Sequence, residues 1–135
     1  MPHIAVEYSA NVRDRIGLPR LIDTLHASAL STGVFPVGGL RTRAAERSAY
    51  KIADGHPDNG FVHVTMMIGH GRDADTKMRA AQTVFSALCG HLEPLFAVAP
   101  LAISFDVQEI DPVLTFKHNN IHDYVKARLA GKERP

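Results

Sequence analysis

Proline follows directly on the initiator methionine in Met1-Pro2-His3, and an alternating apolar segment begins at once. Removal of Met1 starts the chain with a free secondary amine on Pro2, a base that needs no side chain. Two other residues have chemistry to combine with it. Arg41 stands at the start of a second extended segment, and Arg72 stands in the glycine-flanked turn Gly69-His70-Gly71-Arg72-Asp73. A secondary ammonium close to cations and an apolar wall loses its proton more readily, because desolvation and like charge both oppose the charged form. A base poised near neutral pH is what proton abstraction next to a carbonyl requires. Guanidinium groups grip carboxylates through paired N–H donors. They also steady the negative charge of a dienolate as it develops. Pro2, Arg41 and Arg72 therefore suit proton shuttling on an acidic, conjugated substrate. Arg43, on the same strand face as Arg41, can replace or assist it. Taken singly, each arginine reads as a surface ion-pair residue and the chain start as a frayed end; the functional reading rests on the combination.

Other chemistries find less support. His118 and His122 are four residues apart, a spacing that ligates a metal when both lie on one helix. No glutamate follows the first histidine, and Asn119-Asn120 reads as a turn, so no metal site is expected. His63 alternates with Phe61 and Thr65 and is expected in the core or at an interface. The single cysteine, Cys89, lies inside a helical pattern and is expected as a small buried hydrophobe. The Gly69-x-Gly71-Arg72 turn can hold a carboxylate on its backbone N–H groups, but the Gly-Lys-Ser/Thr of a phosphate loop is missing. A Gly-x-Ser-x-Gly elbow and a dinucleotide fingerprint are missing too.

The elements that must position these residues are legible from periodicity. Ile4, Val6 and Tyr8 alternate with His3, Ala5 and Glu7, which predicts a strand. A helix starts near Leu18-Pro19, with Leu21, Ile22, Leu25 and Ala29 on one face and Gly33 as its stop. After the turn-rich Phe35-Pro36-Val37-Gly38-Gly39, a second strand starts at Leu40 and carries Arg41 and Arg43. Residues 44–60 read as a turn region. The pattern then restarts with a strand over Phe61 to Ile68. A helix capped by Asp73 or Asp75 follows, with Met78, Ala81, Phe85, Leu88 and Leu92 as its stripe. Gly90 and Pro94 weaken its end. A last strand covers Leu101 to Ile110, with Leu101, Ile103, Phe105 and Val107 on one face. The two halves repeat strand–helix–strand with an offset of about 59 residues.

The expected fold is α+β: two fused β-α-β units forming a four-stranded sheet with two helices on one face. The units run over about residues 2–58 and 60–111 of a single domain. A C-terminal loop and short helix follow at about 112–128, then a basic tail at 129–135. Helix crossovers make the strands within each unit parallel. The open sheet face needs a cover, which oligomerisation supplies, and the short C-terminal helix is suited to dock on a neighbour.

At 135 residues, with 45% hydrophobic and 21% charged residues, the composition is that of a globular domain. A net charge of +1 gives no general attraction to nucleic acid or membrane. The basic tail (Lys126, Arg128, Lys132, Arg134) reads as a solvated end. One cysteine, no apolar run of membrane-spanning length and no signal-peptide pattern fit a cytoplasmic location.

Several segments together resemble one family. They are Pro2-His3-Ile4-x-Val6-Glu7-Tyr8, the connector Gly33 to Arg43, Ala53-Asp54-Gly55, Phe61 to Thr65 with Ile68-Gly69-x-Gly71-Arg72, and Lys117-His118-Asn119-Asn120-Ile121-His122. Over about residues 2–125 the chain resembles the 5-carboxymethyl-2-hydroxymuconate Δ-isomerases of the tautomerase superfamily, alongside 4-oxalocrotonate tautomerase and macrophage migration inhibitory factor. The resemblance implies an N-terminal proline base, which falls on Pro2, and active-site arginines, which fall on Arg41 and Arg72. It also implies a homotrimer of fused β-α-β chains and a small polycarboxylate substrate. The reaction would be a proton shift, without metal or cofactor, in homoprotocatechuate breakdown. Two alternatives stand beside it: a trimeric binding or signalling protein with a vestigial pocket, and another N-terminal-proline activity (hydratase, dehalogenase or decarboxylase).

Overall fold

The computed structural model describes residues 1–135. In chain order the elements are β1 (His3–Ser9), α1 (Leu18–Ser31), β2 (Arg41–Arg47), β3 (Gly60–Gly69), α2 (Ala74–Phe96), β4 (Leu101–Ile110) and α3 (Ile121–Leu129). A short 3₁₀ turn at Val37–Gly39 precedes β2. One sheet has the order β2-β1-β3-β4. β1 runs parallel to β2 and β3 runs parallel to β4, while the central pair β1 and β3 is antiparallel. Each unit thus contributes one central and one edge strand.

The alternation in β1 and β3 sends Ile4, Val6, Tyr8, Val62, Val64, Met66 and Ile68 to one face, all buried. They form a single core with Leu21, Leu25 and Ala29 of α1 and Val84, Leu88 and Leu92 of α2. Gly17 caps α1 with φ of 56°, a left-handed conformation that suits glycine, and Pro19 sits in the first turn. The opposite face carries His3, Ala5, Glu7, His63, Thr65 and Met67 and has no helix over it. His63 lies there, with Nδ1 2.7 Å from the Ser104 hydroxyl, and not in the core.

The structure departs from the sequence expectations in three places. β2 continues through Arg47 into the region read as turn. It starts at Arg41, with the buried Leu40 just before it. Its residues 44–47 lack apolar alternation because an edge strand exposes most of its surface, and pairing with the whole length of β1 holds it in place. The packed row of α2 is Ala80, Val84, Leu88, Leu92 and Leu95, while Met78 and Phe85 are exposed. Phe85 instead lies on the helix flank against Phe105 of the edge strand, with ring centroids 5.9 Å apart. The helix runs through Pro94 to Phe96. Proline near the C-terminal end forfeits one hydrogen bond, and the carbonyl its ring approaches belongs to the side-chain-free Gly90. Within the chain, α3 packs against the Val37–Gly39 turn. A Cβ added at Gly38 would lie 2.6 Å from the His122 ring and 2.8 Å from the His122 Cα, so only glycine admits this approach.

Candidate active site

Pro2 is buried at the head of central strand β1. Its carbonyl accepts from the Arg41 backbone N–H at 3.3 Å, and its ring packs against Gly39. Parallel pairing sets His3 opposite Arg41 and so brings Arg41 to the chain start. Antiparallel pairing sets His3 opposite Met67, which carries the end of β3 and the following Arg72 turn to the same corner. The two pairings of β1 therefore gather residues about 40 and 70 positions away in sequence beside one chain end.

In the chain with its initiator residue, Met1 fills this corner. Its thioether accepts from Arg41 Nη2 and from Asn119 Nδ2, each at 3.3 Å. Burial, then the charges of Lys117, Arg41 and Arg72, push the chain-start amine below its ordinary value of 8.0. A cavity of about 340 Å³ opens here, lined by Met1, His3, Arg41, Phe116, Lys117 and His118 among others, with no acidic side chain in its wall. A positive, partly desolvated corner of this kind favours anions and a neutral amine.

The arginines play different parts. Arg41 points into the cavity. Arg72 is half-buried; its Nη1 donates to the Gly69 carbonyl at 3.1 Å and its Nη2 to the Val34 carbonyl at 3.3 Å, and its guanidinium stacks on Phe35 at 5.2 Å. Three of its five N–H donors are left for other partners. Arg43 does not border the cavity. It lies one step away, with Nη1 3.0 Å from His3 Nδ1, and it lines a second hollow of about 410 Å³ on the uncovered sheet face with Glu7, Arg47, His63 and Thr65.

Lys117 and Asn119 join the corner without having been singled out as site residues from the sequence, and His118, considered there only as a metal ligand, lines the cavity beside Lys117. Their signal was the Lys117–His122 segment, whose loop carries no periodicity to say where it folds back. His118 and His122 do not share a helix, since α3 begins at Ile121. His122 packs on Gly38, and no group of three or more metal-ligating side chains occurs. Cys89 is half-buried, and burial pushes its thiol above the ordinary range, which disfavours the thiolate a nucleophile needs.

The family model for 5-carboxymethyl-2-hydroxymuconate isomerase matches residues 2–125. This chain belongs to that family. It is 36% identical over 126 residues to a 5-carboxymethyl-2-hydroxymuconate Δ-isomerase from Escherichia coli, covering 93% of this chain and all of the relative. A crystal structure of a 5-carboxymethyl-2-hydroxymuconate isomerase from Deinococcus radiodurans superposes with a TM-score of 0.84 at 36% identity, over 90% of this chain and 91% of that one. A fused 4-OT symmetric trimer, 13% identical, shares the fold with a TM-score of 0.64 over 87% of this chain and 94% of that one. Family membership makes this chain an enzyme of isomerase type in the tautomerase superfamily, with the expected α+β fold. No helix is long and apolar enough to cross a membrane.

Proposed function

We propose that this isomerase moves a proton on 5-carboxymethyl-2-hydroxymuconate, or a closely similar polycarboxylate, in homoprotocatechuate catabolism, with the mature Pro2 amine as general base. The observation that carries the reading is the buried Pro2 beside Arg41 and the Arg72 turn, at a corner where burial and the charges of Lys117, Arg41 and Arg72 already lower the pKa of the Met1 amine one residue earlier. Removal of Met1 opens the space its side chain fills and converts the Pro2 nitrogen from an amide into a basic amine. That nitrogen takes the proton of the 2-hydroxyl group, and the electron pair passes into the conjugated system as a dienolate. The protonated amine then returns a proton to a carbon of the chain, which gives the 2-oxo-3-ene isomer. One proton leaves oxygen and one reaches carbon, so the step balances without an oxidant or a cofactor. Arg41 and Arg72 bind carboxylates and oppose the developing negative charge. A homotrimer is consistent with the uncovered sheet face and with the exposed Val113, Leu114 and Phe116.

Mass spectrometry of active protein tests the first requirement, since retained Met1 removes the base. Ultraviolet assay of the Pro2→Ala variant tests the second, with an expected loss of about a hundredfold or more in turnover. Unchanged turnover assigns the base to another group. Absence of isomerisation with tight ligand binding favours the vestigial-pocket alternative.

A further inference from the structure

The chain-start cavity has two features that the Pro2, Arg41 and Arg72 scheme does not use. The first is Lys117. It lines the cavity, yet its ammonium forms no ion pair or side-chain hydrogen bond within the chain. It is also the charge with the largest influence on the chain-start amine. The second is His3, between two guanidinium groups: Arg43 Nη1 is 3.0 Å from its Nδ1 and Arg41 Nη1 is 3.4 Å from its Nε2. Burial, then Arg43 and Arg41, hold His3 below its ordinary pKa of 6.5, so the ring is neutral at pH 7. A neutral imidazole has one acceptor nitrogen and one N–H. Only one ring nitrogen can accept, so at most one of the two guanidinium contacts is satisfied by His3, and the other guanidinium faces a ring N–H. His3 and Arg41 both line the cavity, where an acceptor from outside the chain can meet the donors left over.

We propose that Lys117, with His3 and Arg41, forms a carboxylate subsite at the cavity mouth that selects substrates with a third carboxylate. The inference rests on the proposed isomerase reading and deepens it. A muconate carries two carboxylates and its carboxymethyl arm a third, and the corner supplies three cations, Arg41, Arg72 and Lys117. Arg72 is tied to the Gly69 and Val34 carbonyls away from the mouth, so the mouth is the work of Arg41 and Lys117. Arg43 is a positioning residue here, acting through its contact with the His3 ring.

The test compares 5-carboxymethyl-2-hydroxymuconate with 2-hydroxymuconate, which lacks the carboxymethyl arm. Rates are measured on the pH-independent plateau for wild type, Lys117→Met and Lys117→Arg. Loss of one charge-assisted contact raises KM for the tricarboxylate by roughly tenfold to a hundredfold. Any change that Lys117→Met makes to the base is common to both substrates, so the tricarboxylate loses roughly tenfold to a hundredfold more than the dicarboxylate, and arginine restores most of that difference. Lys117 is exposed in a loop, so neither variant threatens folding. Equal loss on both substrates, or loss on neither, overturns the subsite while wild-type isomerisation keeps the proposed reaction standing. If the wild type isomerises neither substrate, both proposals fall.

Discussion

Replacing Gly38 by alanine sets a methyl group against α3, and the structure fixes how the chain must respond. The new Cβ would lie 2.6 Å from His122 Nδ1, 2.8 Å from the His122 Cα and 3.0 Å from its Cγ. Carbon contacts relax at about 3.5–4.0 Å, so the start of α3 has to retreat by roughly 1 Å. Side-chain rotation alone cannot relieve this, because one of the three contacts is backbone. α3 buries only Ala127 completely, so moving the helix is easier than compressing the core. The expected stability loss is about 1–2 kcal/mol, near the lower end for overpacking, or roughly 3–8 °C in Tm. The larger effect falls on the site. Asn119, two residues before α3, donates to the Gly38 carbonyl at 3.1 Å, and Lys117 precedes it at the cavity. A displacement of about 1 Å in positioning groups can reduce turnover about a hundredfold, so kcat/KM should fall by roughly tenfold to a hundredfold. Calorimetry and the ultraviolet assay read the two effects separately. Adding His122→Ala removes two of the three contacts and should recover only part of the loss. Wild-type Tm and kcat/KM in Gly38→Ala would show that α3 does not dock this closely. A lowered Tm with full activity would remove residues 117–119 from the site.

Leu88→Ala empties a fully buried position between α2 and the sheet and should lower stability by about 2–5 kcal/mol in denaturant titration. His3 should titrate below 6.5 by NMR, and Arg43→Met should move it upward by removing the nearer cation. Because the folded pKa of His3 is depressed, the unfolded chain binds more protons as pH falls through 6.5. His3 therefore costs stability on the acid side, and His3→Gln should flatten that part of the stability profile. Asp73 caps α2 by accepting from the Thr76 N–H at 2.7 Å, and that bond holds its carboxyl below the usual range. Its stabilisation is present above the unfolded pKa and is lost as pH falls through the folded one, so Asp73→Asn should keep the cap at pH 7 while removing this acid dependence.

Short-range order was written in the chain. The alternation of Ile4, Val6 and Tyr8 and of Val62, Val64, Met66 and Ile68 defines two half-buried strands before any partner is known. Pro19 and Gly33 bracket α1, and the repeat of strand–helix–strand sets the fold class. These features are local: a backbone period decides which side chains share a face. Signals weakened where packing took over. An edge strand such as β2 has little apolar surface to show, and the stripe read along α2 from Met78 and Phe85 missed the row through Ala80 and Val84 that meets the sheet. The chemistry-bearing residues were also legible by type, since Pro2, Arg41 and Arg72 were named from amine and guanidinium chemistry. Their meeting was not. Only the choice of parallel β2 and antiparallel β3 as the two neighbours of β1 brings Arg41 and the Arg72 turn to the Pro2 end. Likewise, only the close approach allowed at Gly38 seats α3 so that Lys117 and Asn119 reach the same corner. Strand partners and helix docking depend on contacts between residues distant in sequence, and no periodicity along the chain records which of those contacts forms.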